Sequence, residues 1–243
     1  MILRIDQVMS NGENRFEVRQ EGQLLFLGST PFIKPAAMIG GDYFRRLELT
    51  DAAGNLILYS TYDGLKNAVE AALPLSWLYK DSKQLQIYSI LNNTDNVMGQ
   101  FYYEQTAVAD MKYVFSFMDR AIFCYVKGAG KKEVVSVYEN ERQIGQVTKP
   151  NCVRDNLDCY IAHFIDGELS PAMVSFFVIY FYYMRHSNSG RVRVGYTKNV
   201  SYTFDKNSKM YNKDFIRLNV GEEENDRLEQ FIKDSFNTKK NKK

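Results

Sequence analysis

Tryptophan, histidine, cysteine and proline are all scarce in this chain of 243 residues, which has one Trp, two His, three Cys and five Pro. Each shortage removes a class of protein. Cys124, Cys152 and Cys159 are odd in number and form no CxxC pair, so neither a disulfide framework nor a zinc knuckle is written here, and a reducing cytoplasm fits them. His163 and His186 stand outside any HxH or HxxxH spacing, which removes the usual zinc patterns. No apolar run reaches the roughly 20 residues that cross the hydrocarbon of a bilayer. The opening stretch, MILRIDQVMSNGENRFEV, lacks the basic start and long apolar centre of a secretory signal, so export is not implied, and no lipidation motif is present. Charge of one sign is not in excess: a net +2 gives nucleic acid no whole-chain field to follow, and any basic site has to be local.

What the chain does have is Tyr and Phe, with 17 and 16 copies, a composition that leans towards strands. Short β-like runs alternate with turn signals. Residues 15–20 and 23–27 meet across Glu21-Gly22, and 43–49 and 55–61 flank a loop whose Gly54 supplies positive φ. Further pairs are 84–91 with 97–103, 111–117 with 121–127, and 133–138 with 143–148. With residues 2–5 and 157–164 the tally is about twelve strands. A short helix over 65–73, closed by Pro74 and packed by Trp77, connects two of the hairpins.

Residues 170–186 (SPAMVSFFVIYFYYMRH) break this pattern. Ser170 is a competent N-cap and Pro171 suits the first helical position. No charge occurs from Ala172 to Met184, so a helix here is apolar all round and must be surrounded. The aromatic and β-branched content also permits a buried strand; the length and the Ser-Pro start favour helix. Residues 190–204 alternate well enough for one or two more strands, 206–213 read as loop, and 222–236 read as an amphipathic helix with Leu228, Phe231, Ile232 and Ser235 on one face. Lys239, Lys240, Lys242 and Lys243 form a basic tail.

Chemistry-bearing motifs are few. Cys159 and His163 share a strand face but lie too far apart to bond within it, so buried thiol and packed histidine is the reading. Lys127-Gly-Ala-Gly-Lys131-Lys132 is not a Walker loop, because Tyr125 stands where a glycine is needed and Lys132 where Ser or Thr is needed. A plain hairpin turn is the bland reading and an anion contact the sharper one. Arg185, Arg191 and Arg193 with Lys198 form a second basic cluster. The candidate anion or headgroup contacts are therefore Lys127, Lys131, Lys132, Arg185, Arg191 and Arg193. Asp166-Gly-Glu168 falls short of a calcium loop, and no nucleophile, base and orienting group assemble, so no catalytic, metal or cofactor residue is assigned. The aromatics of the 170–186 run suit a core better than a lipid pocket.

Hairpins in a meander followed by one wholly apolar helix is an unusual order. Together with residues 134–149 (VVSVYENERQIGQVTK) and 43–59 (YFRRLELTDAAGNLILY), it resembles the tubby C-terminal-like superfamily, which includes tubby-like proteins, phospholipid scramblases and LURP-one-related proteins. The resemblance is to a bacterial-type member with a C-terminal extension, and it implies a mainly β fold. That fold is a closed antiparallel barrel of about twelve strands around a central hydrophobic helix, over residues 1–190, with an extension carrying the amphipathic helix at 191–243. The phosphoinositide pocket of tubby proteins has no residue-by-residue match. The functional expectation is a non-enzymatic, intracellular binding module, possible partners being an anionic lipid surface, with a location peripheral to the membrane, or a protein. The alternative is an interaction scaffold that uses the extension.

Overall fold

The computed structural model describes residues 1–10, 13–31, 46–62, 64, 83–107, 110–187, 194–204 and 206–237. Its strands are β1 (Ile2–Met9), β2 (Glu13–Gln20), β3 (Gln23–Pro31), β4 (Glu48–Asp51), β5 (Leu56–Tyr62), β6 (Lys83–Asn92), β7 (Val97–Ala107), β8 (Asp110–Phe117), β9 (Arg120–Gly130), β10 (Lys132–Glu139), β11 (Arg142–Pro150), β12 (Cys152–Arg154) and β13 (Cys159–Phe164). From β1 to β11 every strand pairs antiparallel with its successor, and β13 pairs with both β11 and β1. The result is a closed barrel of twelve strands in an up-and-down meander, with β12 outside the ring. Closure joins the two ends of the barrel sequence: the Met1 amino group donates to the Phe164 carbonyl at 2.8 Å.

Turn chemistry explains why one end of the ring is tight. Glu21-Gly22, Met118-Asp119 and Asn140-Glu141 each put two consecutive residues at positive φ, the conformation whose twist matches a two-residue hairpin. In the other two hairpins Asp51 Oδ1 accepts from the Ala53 and Asn55 amides, and Asn92 Oδ1 from those of Thr94 and Asn96, side chains standing in for turn hydrogen bonds. All five turns lie at the end where the chain enters the barrel interior.

That entry is α1 (Pro171–Arg185). The Ser170 hydroxyl accepts from the Met173 amide at 3.3 Å, Pro171 occupies the first turn, and the His186 amide caps the far end on the Tyr182 carbonyl. Every residue from Met173 to Tyr183 is buried. A ring of eight strands can fill its middle with its own side chains, whereas twelve leave room for a rod about 10 Å across. Leu3, Ile5, Phe16, Val18, Phe101, Phe115, Val135 and Phe164 converge on it, with Phe101 stacked on Tyr180 at 4.5 Å between centroids. Ser175, the one small residue of the run, donates its hydroxyl to the Pro171 carbonyl at 2.6 Å, so its burial leaves no orphan. Gly28 and Gly145 mark close approaches: a Cβ on the first would collide with Ile179, and on the second with the ring of Phe164.

The extension comprises β14 (Tyr196–Lys198), β15 (Ser201–Tyr202), a 3-10 turn (Lys206–Met210), α2 (Phe215–Asn219) and α3 (Glu222–Asn237). Residues 206–213, expected to be loop, thus contain a helical turn, and α2 is an element that its five-residue length hid from periodicity. Phe215, Ile216, Leu228 and Ile232 pack on Ile161 and Ile165 of the barrel wall. The apolar face of α3 is therefore covered within the chain. β13 is covered on its outer face by these helices and on its inner face by α1, which is why residues 157–164 show apolar side chains at both parities. The expected helix at 65–73 with Trp77, the start of the 43–49 strand and the lysine tail lie outside the described residues.

Removing most of a ring from the rod should be costly. Phe181→Ala is expected to lower unfolding free energy by about 3–5 kcal/mol, and Gly145→Ala by about 1–3 kcal/mol through overpacking, both read as shifts of the urea midpoint. An unchanged midpoint for Phe181→Ala would contradict a packed central helix.

Candidate functional site: the polar mouth of the barrel

Where α1 leaves the barrel, the inward-facing positions change character together. Along β1 the series runs Leu3, Ile5, then Gln7; along β2, read towards the same rim, Val18, Phe16, then Asn14. On β10 Val137 and Val135 give way to Glu133, on β11 Val147 to Lys149, on β8 Phe115 to Tyr113, and on β7 Phe101 to Tyr103. One layer of polar side chains thus rings the last turn of the helix.

Its groups bond to one another. Tyr182 OH donates to Asn14 Oδ1 at 2.8 Å and accepts from Gln7 Nε2 at 2.9 Å, while Asn14 Nδ2 donates to Thr30 Oγ1 at 3.0 Å. Gln7 Oε1 accepts the Asp158 amide, and Asp158 in turn pairs with Lys149 at 2.9 Å, both side chains only 9% exposed. Across from Lys149 on the neighbouring strand, Arg185 donates twice to Glu133 Oε2, at 2.9 and 2.8 Å, and His186 Nε2 lies 2.7 Å from Glu133 Oε1. Burial works to raise the Glu133 pKa, but hydrogen bonds and charge from His186 and Arg185 outweigh it and hold the carboxyl at about 2. Burial pushes Tyr113 up to about 12, and Tyr103 and Tyr160 higher still. Near neutral pH the mouth therefore has a fixed anion at Glu133 and neutral phenols around it, which is the behaviour of a structural plug and a poor basis for proton transfer. Burial likewise raises the Cys124 and Cys159 thiols, removing them as nucleophiles.

The expected anion contacts separate into groups. Lys127, Lys131 and Lys132 belong to the β9–β10 hairpin, whose bend uses Gly130 at φ +71°, so the KGAGKK stretch is a hairpin turn. Lys131 is exposed and lies over the ring of Phe236, while Lys127 donates to the Ser208 carbonyl at 3.4 Å. Lys132 is paired with Glu229, and Arg185 with Glu133, so both of those charges are matched. Arg191 and Arg193 lie outside the described residues. Lys198, exposed and bonded to the Phe236 carbonyl, joins Lys131 on the same rim. Sequence reading missed the ion pairs inside the mouth. The signal available was a charge at the inward parity of an apolar strand, Glu133 before VVSV and Lys149 after GQVT.

Two further features complete the surface. His163 is fully buried beneath α3, with Nε2 3.0 Å from Glu224 Oε1, and burial lowers its pKa; its Nδ1 and the neighbouring Gln146 Oε1 have no protein partner. Beside it, a groove of about 530 Å³ is lined by Arg4, Arg19 and Arg227 against Asp6, Glu21 and Glu224. That balance of charge gives no preference for an anion. Among the described residues no cluster of three metal-ligating side chains occurs, and no helix is long and apolar enough to cross a membrane. Compared with family models, curated proteins and solved structures, the chain matches none.

The Glu133 cluster has a pH signature. A carboxyl held below its usual 4.5 contributes stability that is complete above that value and is lost as pH falls through about 2. Glu133→Gln is expected to cost about 1–3 kcal/mol, because the charge-assisted bonds from Arg185 and His186 are lost while Arg185, 42% exposed, can still be solvated. It should also flatten the acid limb of stability over that window in urea melts at several pH values. An equally steep limb would place the titrating group elsewhere.

Proposed function

We propose that this chain is a non-enzymatic binding module that sets one end of a filled barrel against an anionic surface, the headgroups of a membrane leaflet being the surface that fits. The helix occupies the interior, the mouth is locked by its own ion pairs, and recognition is left to the outside. The observation that carries this reading is the basic rim at the helix exit. Residues 125–132 and 194–204 contain Lys127, Lys131, Lys132 and Lys198 and no acid of their own, Lys132 being matched by Glu229 of α3, and pairing of β15 with β9 brings the two segments together. A local excess of this kind acts on an anionic leaflet even though the whole chain is near neutral. Membership of the tubby C-terminal-like superfamily is part of the same proposal, supported by the twelve strands and the threaded helix. The phosphoinositide pocket is not carried over.

Co-sedimentation with phosphatidylcholine vesicles, with and without phosphatidylserine, tests this. Binding should require phosphatidylserine and fall as salt rises. Each rim lysine contributes about 1 kcal/mol near such a surface, so neutralising Lys131 and Lys198 as Gln should weaken binding roughly 30-fold, and reversing both to Glu should weaken it further. Both side chains are exposed, so thermal stability should not change. Equal binding to both vesicle types, or none at low salt, would remove the reading.

A further inference from the structure

Residues 199–204 run along the end of β9 with their two faces the reverse of what folding alone asks for. The polar parity faces the barrel: the Ser201 hydroxyl accepts from Asn151 Nδ2 at 3.0 Å, and the Thr203 hydroxyl accepts from the Gly128 amide at 2.9 Å. A Cβ on Gly128 would lie 2.8 Å from Ser201 Oγ and 2.9 Å from its carbonyl carbon, so the missing side chain is the space this strap occupies. The alternate residues are Val200, Tyr202 and Phe204, which are 60%, 66% and 90% exposed, and the two rings stack with centroids 6.2 Å apart. Val194, 94% exposed, precedes them on the same segment. Strands normally turn their apolar parity towards the protein and their polar parity to water. Here water receives the apolar one.

We infer that this strap is a hydrophobic anchor, its Val200, Tyr202 and Phe204 side chains entering the interfacial zone of a lipid bilayer. The inference rests on the proposed anionic-surface reading and adds a contact that charge does not provide. Two observations favour a bilayer over a folded protein partner. Lys131 and Lys198 flank the strap, as an anionic headgroup layer around an inserted wedge requires. The exposed area of three side chains is also well below the roughly 800 Å² per partner of a stable protein interface, while Tyr and Phe are suited to the boundary between headgroups and acyl chains.

Phe204→Trp gives a probe at the tip of the strap, read as the difference from the wild-type spectrum so that Trp77 cancels. With phosphatidylcholine–phosphatidylserine vesicles its emission should shift to the blue and be quenched by lipids brominated on the acyl chain. The double variant Tyr202→Ser, Phe204→Ser should lower vesicle binding about tenfold, the loss of buried apolar area, and leave the melting temperature unchanged because both side chains are exposed. Unlike the lysine reversals, this loss should persist at high salt. If vesicles bind but the tryptophan neither shifts nor is quenched, the anchor is wrong while the electrostatic reading stands. If neither anionic nor neutral vesicles bind, both fall. A tryptophan that shifts on adding a protein, with vesicles having no effect, would replace the bilayer by a protein partner.

Discussion

A ring of twelve strands and a helix apolar on every side have complementary defects, and each supplies what the other lacks. The ring encloses more space than its own inward side chains fill, and an empty apolar interior forfeits dispersion contacts along its whole lining. The helix, with no charge between Ala172 and Met184, has no face that tolerates water. Inserting one into the other buries the helix from Met173 to Tyr183 and gives the inward Phe, Val, Ile and Tyr residues of the wall something to pack on. The topology follows from this, because ring closure pairs β13 with β1 and the helix follows β13 directly. Long-range closure of this kind slows folding, because distant strands must meet before their pairing contributes.

The polar mouth follows from the same geometry. A buried rod ends somewhere, and α1 ends at Arg185 and His186, whose polar groups would be stranded if the wall stayed apolar to its rim. Glu133, Lys149, Asp158 and the surrounding Gln, Asn, Thr and Tyr side chains give that end a bonded polar layer, so each charge meets an opposite one. Such a layer fixes how far the helix can slide and turn, since Tyr182 must meet Asn14 and Gln7 while Arg185 meets Glu133. Its stability cost is moderate, because every member that was desolvated gained a partner.

The extension shows how one side of a barrel wall becomes interior. Ile161 and His163 point outward from β13, and α2 and α3 cover them, with the Lys132–Glu229 ion pair and the Glu224–His163 contact closing the seam. The same extension turns outward at the strap, where the polar residues hold the barrel and the apolar ones do not. Two parts of one extension therefore have opposite roles, cover and projection.

Much of this was legible in the chain. Two-residue turn signals spaced the hairpins; Asp51 to Gly54 and Glu21-Gly22 state local backbone requirements that no distant contact alters. The helix is equally local, because Ser170, Pro171 and an uncharged run fix both its start and its need to be surrounded. The matched charges could not be read: Lys132 looked free because Glu229, its partner, is far along the chain, and Arg185 looked like an anion contact because Glu133 is a register position away from any motif. The orientation of residues 199–204 was equally hidden, since a period of two says that faces differ and not which one meets the protein. Local conformation and the demand for burial belong to the sequence, whereas pairing across the ring, and with it which charges stay free and which apolar side chains stay bare, is settled only when closure brings distant strands together.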